Sequence, residues 1–440
     1  MTTYLLERAW VDGEVRDSVL VEVADGVFVA VGGGEGAGDA GRAVRVPGLT
    51  LPGLANTHSH AFHRALRGRT QGDRGTFWTW RETMYAAAAR LDPDSYYALA
   101  RATFAEMVAS GHTSVGEFHY LHHQPDGRRY DDPNALGRAV IAAAHDAGIR
   151  ITLLDTLYLS SGFGAAPEGV QRRFDDGCAE TWAARVAELA TGELPAGVRV
   201  GVAAHSVRAV PRDALSSLVP YVEAGVAVHV HLSEQVRENE DCLAAYGVTP
   251  TRLLADHGLL GPMTTAVHAT HLTDEDVRLL GDARAFASFC PTTERDLGDG
   301  IGPSRRLREA GARLTLGSDS HAVIDGFEEM RALEMNERLH AQSRGHWSAA
   351  ELLAAATYDG HESLGVDNAG AIAVGKRADL VTVALDSPRT AGAGRDEHAA
   401  VFAATAADVT QVIAEGRVVF DGDHARVGRE LDAAIGRIWA

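Results

Sequence analysis

Between residue 49 and about residue 365, short apolar or β-branched runs alternate with longer stretches of helical spacing. The runs fall at residues 49–57, 113–118, 149–156, 198–204, 226–232, 264–269, 285–290 and 313–317; helical stretches such as 95–110, 135–147, 171–190 and 325–340 separate them. Continuous apolar runs of this length suit strands buried on both faces of a parallel sheet. Eight of them, each followed by a helix, predict an α/β fold built on a (β/α)8 barrel of the TIM type. The block is long for that fold, so extended loops are expected after the first and third strands.

The two ends have a different texture. Residues 4–11, 19–23 and 27–31 read as short strands broken by Asp12-Gly13, Asp25-Gly26 and a glycine-rich loop at 32–38. Similar runs return at 371–374, 378–385, 409–414 and 417–420. Either set alone is too short to bury a core. Both ends are therefore expected to join in one small β-sandwich-like domain, residues 1–50 plus 366–425. The barrel would occupy 51–365, and a C-terminal helix 426–440.

Composition narrows the function classes. The chain has 440 residues, 45% hydrophobic and 23% charged, with no apolar run long enough to span a bilayer. Its first residues lack the basic and apolar segments of a secretory signal. A net charge of −19 argues against nucleic acid or an anionic membrane as the main partner. A small anionic substrate stays compatible, because a local arginine outweighs a distant field. Cys178, Cys242 and Cys290 form no Cys-x-x-Cys pair and read as reduced thiols of a cytoplasmic protein. Lys376 is the single lysine, so the central region holds no Schiff-base, general-base or carbamylated lysine.

Catalytic groups of such barrels sit at the C-terminal ends of the strands. His58-Ser59-His60 closes the first apolar run, and residues i and i+2 of a strand face the same way. In a chain with 20 histidines, His-x-His by itself is a weak signal. The other strand ends strengthen it: His205 closes the fourth, His229 and His231 the fifth, His268 falls late in the sixth, and Asp319 closes the eighth. Burying that many polar groups without partners would cost roughly 2–7 kcal/mol apiece. A metal site explains them better than packing does.

This pattern resembles the amidohydrolase superfamily along essentially the whole chain. So does the terminal Gly375-Lys376-Arg377-Ala378-Asp379-Leu380-Val381. The binuclear members generally use a strand-four lysine that this chain lacks, whereas His231-Leu232-Ser233-Glu234 matches the mononuclear deaminase branch. The resemblance implies one divalent metal, zinc or alternatively iron, on His58, His60, His231 and Asp319. A divalent metal can lower the pKa of bound water to about 7. Asp319 would take the water's proton, Glu234 would pass a proton to the departing nitrogen, and His268 would hydrogen-bond the tetrahedral centre.

Further motifs narrow the resemblance to the formimidoylglutamate deiminase family. They are Asn56-Thr57-His58-Ser59-His60-Ala61-Phe62, the segment Phe77 to Tyr85, Glu117-Phe118-His119-Tyr120, and His205-Ser206-Val207-Arg208. That family converts N-formimino-L-glutamate and water to N-formyl-L-glutamate and ammonia. Its substrate has two carboxylates, which bidentate arginine suits. Arg208 and Arg81 are the expected anchors, with Tyr120, His205 and His63 as hydrogen-bonding neighbours. His63 is a departure, since the family usually has glutamine there. The resemblance also implies a homodimer. Two other readings stay in view: a deaminase of a neutral heterocycle such as guanine, another purine or a triazine, and a non-catalytic scaffold. The scaffold ranks last because every expected ligand is present. The glycines at 162, 164 and 169 give the loop 159–173 freedom to move.

Overall fold

The computed structural model describes residues 1–33, 43–72 and 77–440, with residues 77 and 78 by backbone only. The tip of the expected glycine-rich loop and the side chain of Trp78 lie outside the described residues. Among the described residues two sheets organise the chain. The outer sheet begins with β1 (Thr2–Val11), β2 (Glu14–Ala24), β3 (Val27–Gly33) and β4 (Val44–Pro52). The barrel follows with β5 (Leu54–Ser59), β6 (His112–His119), β7 (Arg150–Leu157), β8 (Arg199–Ala204), β9 (Val228–Leu232), β10 (Thr264–His268), β11 (Phe286–Phe289) and β12 (Arg313–Leu316). The chain then returns to the outer sheet as β13 (Leu380–Val383), β14 (Val409–Ala414) and β15 (Arg417–Phe420).

The outer sheet has the order β15-β14-β13-β4-β1-β2-β3, so strands from both termini meet where β13 pairs with β4. Burial alternates along β1, as expected of a sheet with two different faces. Leu49, Leu51, Val381 and Val412 join the main core shared with the barrel, while Leu6, Val21, Phe28 and Leu380 form a separate cluster.

The barrel strands run parallel in sequence order from β5 to β12. Each residue of β6 and β7 is buried, as the apolar runs predict. Closure between β12 and β5 depends on a few main-chain bonds at one end. The Ser318 and Asp319 amides donate to His58 O at 3.1 and 3.0 Å, and the His60 amide donates to Asp319 O at 3.3 Å. Gly317 permits this approach: a Cβ there would lie 2.7 Å from the Cβ of His58. The seam that closes the barrel is therefore the place where His58, His60 and Asp319 meet.

Three sequence expectations need correction. The run 49–57 is two strands, because Gly53 changes hydrogen-bonding partners: its amide bonds Asp379 O, while the next amide, Leu54, bonds Gly111 O. A Cβ at Gly53 would come within 2.4 Å of Thr113, so only glycine passes between the sheets there. Residues 371–374 form a turn rather than a strand, with the Gly375 amide bonded to Phe28 O and the Lys376 amide to Ala373 O. The expected helix 171–190 is a short 3-10 segment, Gly169–Arg173, followed by a helix at Ala179–Thr191. Between them Gly177 takes φ +84° and Asp176 turns inward to pair with Arg185 at 2.7 Å.

Candidate metal centre and substrate cavity

The strand ends deliver four ligating side chains to one point. His58, His60, His231 and Asp319 each offer one donor atom, these atoms lie within 4.8 Å of one another, and all four residues are buried. His58 Nε2 is 3.1 Å from His231 Nε2 and 3.3 Å from Asp319 Oδ1; His60 Nε2 is also 3.3 Å from Asp319 Oδ1.

The hydrogen bonds decide which nitrogen faces inward. His60 Nδ1 donates to Phe118 O at 3.0 Å, and His231 Nδ1 donates to His205 O at 2.8 Å. A carbonyl only accepts, so both Nδ1 atoms carry hydrogen and both Nε2 lone pairs point at the shared space. Burial, followed by the neighbouring His58, pushes His60 down to about 3, so its imidazole is neutral. Burial likewise holds His231 well below the usual range. Burial opposes the charge of Asp319, yet the hydrogen bond and charge of His58, with His268 and His60 beside it, hold its carboxyl below the usual range. Converging lone pairs and a carboxylate, with Nδ1 atoms fixed by carbonyls, fit one four-coordinate divalent cation of the zinc type.

His268 and Asp319 adopt left-handed φ values of +69° and +40°, and Ser233, beside Glu234, adopts +52°. Such values cost non-glycine residues on the order of 1 kcal/mol each and gather at functional sites. His268 Nε2 lies 3.7 Å from Asp319 Oδ2 and 3.9 Å from Glu234 Oε1, and its Nδ1 lies 3.5 Å from Glu294 Oε1. Burial disfavours the imidazolium, but Glu234, Glu294 and Asp319 outweigh it and raise His268 to about 10. Cys290, read from sequence only as a reduced thiol, is a free thiol buried beside His268 and Asp319.

The other sequence-predicted residues share one cavity with this centre. His63, Arg81, Tyr120, His205 and Arg208 line it together with His60, His231, Glu234, His268 and Asp319. His58 is fully buried behind the lining, and His229 is buried with neither ring nitrogen hydrogen-bonded. His63 Nε2 lies 2.8 Å from the Tyr120 hydroxyl, and its Nδ1 has no partner. Arg208 Nε donates to Glu238 Oε2 at 3.2 Å. Arg81 Nε donates to the Tyr85 hydroxyl at 2.6 Å.

Sequence reading missed the groups that hold these in place. Glu117, buried at the end of β6, accepts from Ser59 Oγ and from the Ala61 amide at 2.7 Å, bracketing His60 on both sides. Burial pushes Glu117 up to about 8 against those two bonds. A glutamate inside an apolar strand was the available signal. Glu238, fully buried on the helix Val236–Tyr246 that follows Glu234, anchors Arg208. Gln171 and Tyr158 left no mark in the spacing, and Tyr85 entered only as the end of the Phe77–Tyr85 motif.

A parallel eight-stranded barrel that gathers imidazole and carboxylate ligands at the C-terminal ends of its strands is the architecture of a metal-dependent hydrolase. Residues 49–419 match the Amidohydrolase family, and the chain belongs to that family. It is 37% identical to a formimidoylglutamate deiminase of Pseudomonas aeruginosa, across 99% of this chain and 98% of that protein. An amidohydrolase from Brucella melitensis superposes with a TM-score of 0.88 at 31% identity, covering 100% of both chains. A 5'-deoxyadenosine deaminase of Methanothermobacter thermautotrophicus is 28% identical over 93% of this chain and 90% of its own. The chain is thus a metal-dependent hydrolase of C–N bonds. Among the described residues, no helix is long and apolar enough to cross a membrane.

Proposed function

We propose that this enzyme hydrolyses N-formimino-L-glutamate to N-formyl-L-glutamate and ammonia. The observation that carries the reading is the pair of arginines, Arg208 and Arg81, lining the same cavity as the metal-binding side chains. A dicarboxylate with a short formimino arm matches that division, whereas a neutral purine has no use for two guanidinium groups. The full-length similarity to the Pseudomonas aeruginosa deiminase supports the same substrate.

His58, His60, His231 and Asp319 hold the metal, which when bound supplies the Lewis acidity that lowers the pKa of water. Asp319 accepts the proton as water adds to the formimino carbon. His268 donates a hydrogen bond to the tetrahedral centre, with the Glu234 and Glu294 carboxylates 3.9 and 3.5 Å from its ring nitrogens. The proton taken by Asp319 and one from Glu234 both reach the terminal nitrogen; as the C–N bond breaks and ammonia leaves, the tetrahedral hydroxyl gives its proton back to Glu234 and the formyl C=O remains. Arg208 and Arg81 bind carboxylates, while Tyr120, His205 and His63 line the wall between anchors and metal.

This reading places the enzyme in histidine degradation, in the cytoplasm and as a homodimer. The free cysteines support a reducing compartment, and light scattering at micromolar concentration tests the dimer. The substrate is tested by ammonia release from zinc-loaded enzyme given N-formimino-L-glutamate, with guanine and 5'-deoxyadenosine alongside. Release from the formimino compound alone is expected. Release only from a purine would overturn the substrate while leaving the metal chemistry intact.

A further inference from the structure

Beyond the two arginines, the outer cavity holds two phenols whose hydrogens are aimed by a neighbour. Gln171 lies on the segment after β7, in the 3-10 turn Gly169–Arg173. Its Oε1 accepts from the Glu168 amide at 3.1 Å, which fixes the orientation of the side-chain amide. Its Nε2 is therefore the donor, and it reaches the Tyr85 hydroxyl at 3.0 Å and the Tyr158 hydroxyl at 2.9 Å. The Tyr85 oxygen also accepts from Arg81 Nε at 2.6 Å.

A phenol has one hydrogen to donate. Tyr85 uses its oxygen to accept twice, and Tyr158 uses its oxygen to accept once. Among the described residues neither O–H has an acceptor, and both residues line the cavity. Burial raises Tyr158 above the usual phenol range, so it stays a donor at any physiological pH. Two aimed O–H groups beside the guanidinium of Arg81 make a receptor for an anion with several acceptor lone pairs.

The ring contacts give its depth. The His231 ring is 5.0 Å from that of His205, which is 4.9 Å from that of Tyr158. Tyr158 therefore stands one ring further from the metal ligands than His205 does. We propose that Tyr85 and Tyr158, aimed by Gln171, form with Arg81 the receptor for the substrate carboxylate farther from the reacting carbon. This deepens the N-formimino-L-glutamate reading and rests on it. Tyr85 and Tyr158 touch substrate, and Gln171 is a positioning residue.

Tyr85→Phe and Tyr158→Phe keep the rings and remove only the donors. Each is expected to raise KM for N-formimino-L-glutamate about tenfold while kcat stays within about twofold, since a hydrogen bond to a charged group is lost in ground and transition state alike. With N-formimino-L-alanine, which lacks the distal carboxylate, kcat/KM should stay within about twofold of the wild type. Gln171→Glu cannot donate, would draw both phenol hydrogens to itself and adds a like charge. It is expected to raise KM for the dicarboxylate more than either phenylalanine variant, again with little change in kcat. Unchanged KM in both phenylalanine variants, or an equal effect on the alanine compound, would overturn the receptor. Should the wild type release no ammonia from N-formimino-L-glutamate, the functional reading fails, and calorimetry with glutarate judges the receptor separately. Weaker glutarate binding by both phenylalanine variants would retain it, and equal or undetectable binding would overturn it.

Discussion

The inner and outer ends of one cavity are built by different means. At the inner end, His58, His60, His231 and Asp319 project from the ends of barrel strands or directly beyond them; main-chain bonds of the seam between β5 and β12 join His58, His60 and Asp319, and β9 carries His231. At the outer end, Arg81 sits on a helix, Arg208 on a turn after β8 and Gln171 on the segment after β7, and side-chain bonds hold them. Chemistry is fixed to the rigid part of the fold, and recognition is assembled from its connections. A barrel of this kind can thus keep its reaction while changing its substrate.

The segment 159–173 refines that contrast. Its glycines suggested freedom, yet Arg173 ties its end down through main-chain carbonyls. The Arg173 guanidinium, fully buried, donates to His123 O at 2.9 Å, to Leu91 O at 2.7 Å and to Ala88 O. Ala88 ends the helix Phe77–Ala88 that carries Arg81 and Tyr85, so the guanidinium donates to the last carbonyl of that helix, which also accepts from the Leu91 amide at 3.3 Å. The Arg173 guanidinium thereby fastens one connection of the outer end to another, alongside the bond from Gln171 to Tyr85.

Six substitutions separate the two ends, from the largest expected effect to the smallest. Asp319→Asn or His231→Ala should remove the bound metal and lower kcat/KM by about 10⁴-fold or more, read by metal analysis and ammonia release together. A variant that stays active without metal would break the distinction at once. Glu234→Gln should keep one equivalent of metal and a near-normal KM while kcat falls about 10²- to 10⁴-fold. Arg208→Met should do the reverse, raising KM about 10²-fold with kcat changed only a few-fold, and Glu238→Gln should produce a milder rise of about tenfold. A loss in kcat alone for Arg208→Met would put that arginine with the chemistry instead. Arg173→Met should leave metal content intact and loosen the 159–173 segment by about 2 kcal/mol, read as faster amide exchange there. Unchanged exchange would show that the fastening lies elsewhere.

The same division explains what could be read without coordinates. Period-two spacing and the rule that barrel sites lie at strand ends brought forward His58, His60, His205, His229, His231, His268 and Asp319, and the family resemblance narrowed the ligands to His58, His60, His231 and Asp319, which the structure gathers within 4.8 Å. Gly53 was opaque because both sheets need apolar runs, and only the hydrogen-bond partners reveal the change of sheet. The turn at 371–374 lies between Gly370 at φ +78° and Gly375 at φ +84°, and its apolar residues mimicked a strand because Ile372 is buried in the outer core. Glu117 and Gln171 act across separations of 58 and 86 residues, to Ser59 and Tyr85, and no local pattern encodes such a pairing. Arg208 was legible as a motif, but its anchor Glu238, 30 residues on, was not.

The claim that a metal centre and a dicarboxylate receptor share one cavity is tested most directly by a ratio. The wild-type, zinc-loaded enzyme would be given N-formimino-L-glutamate and N-formimino-L-alanine in separate steady-state assays of ammonia release. A kcat/KM for the glutamate compound about 10³-fold higher, as charge-assisted bonds to one carboxylate allow, is the predicted result. Equal values for the two compounds would contradict the account.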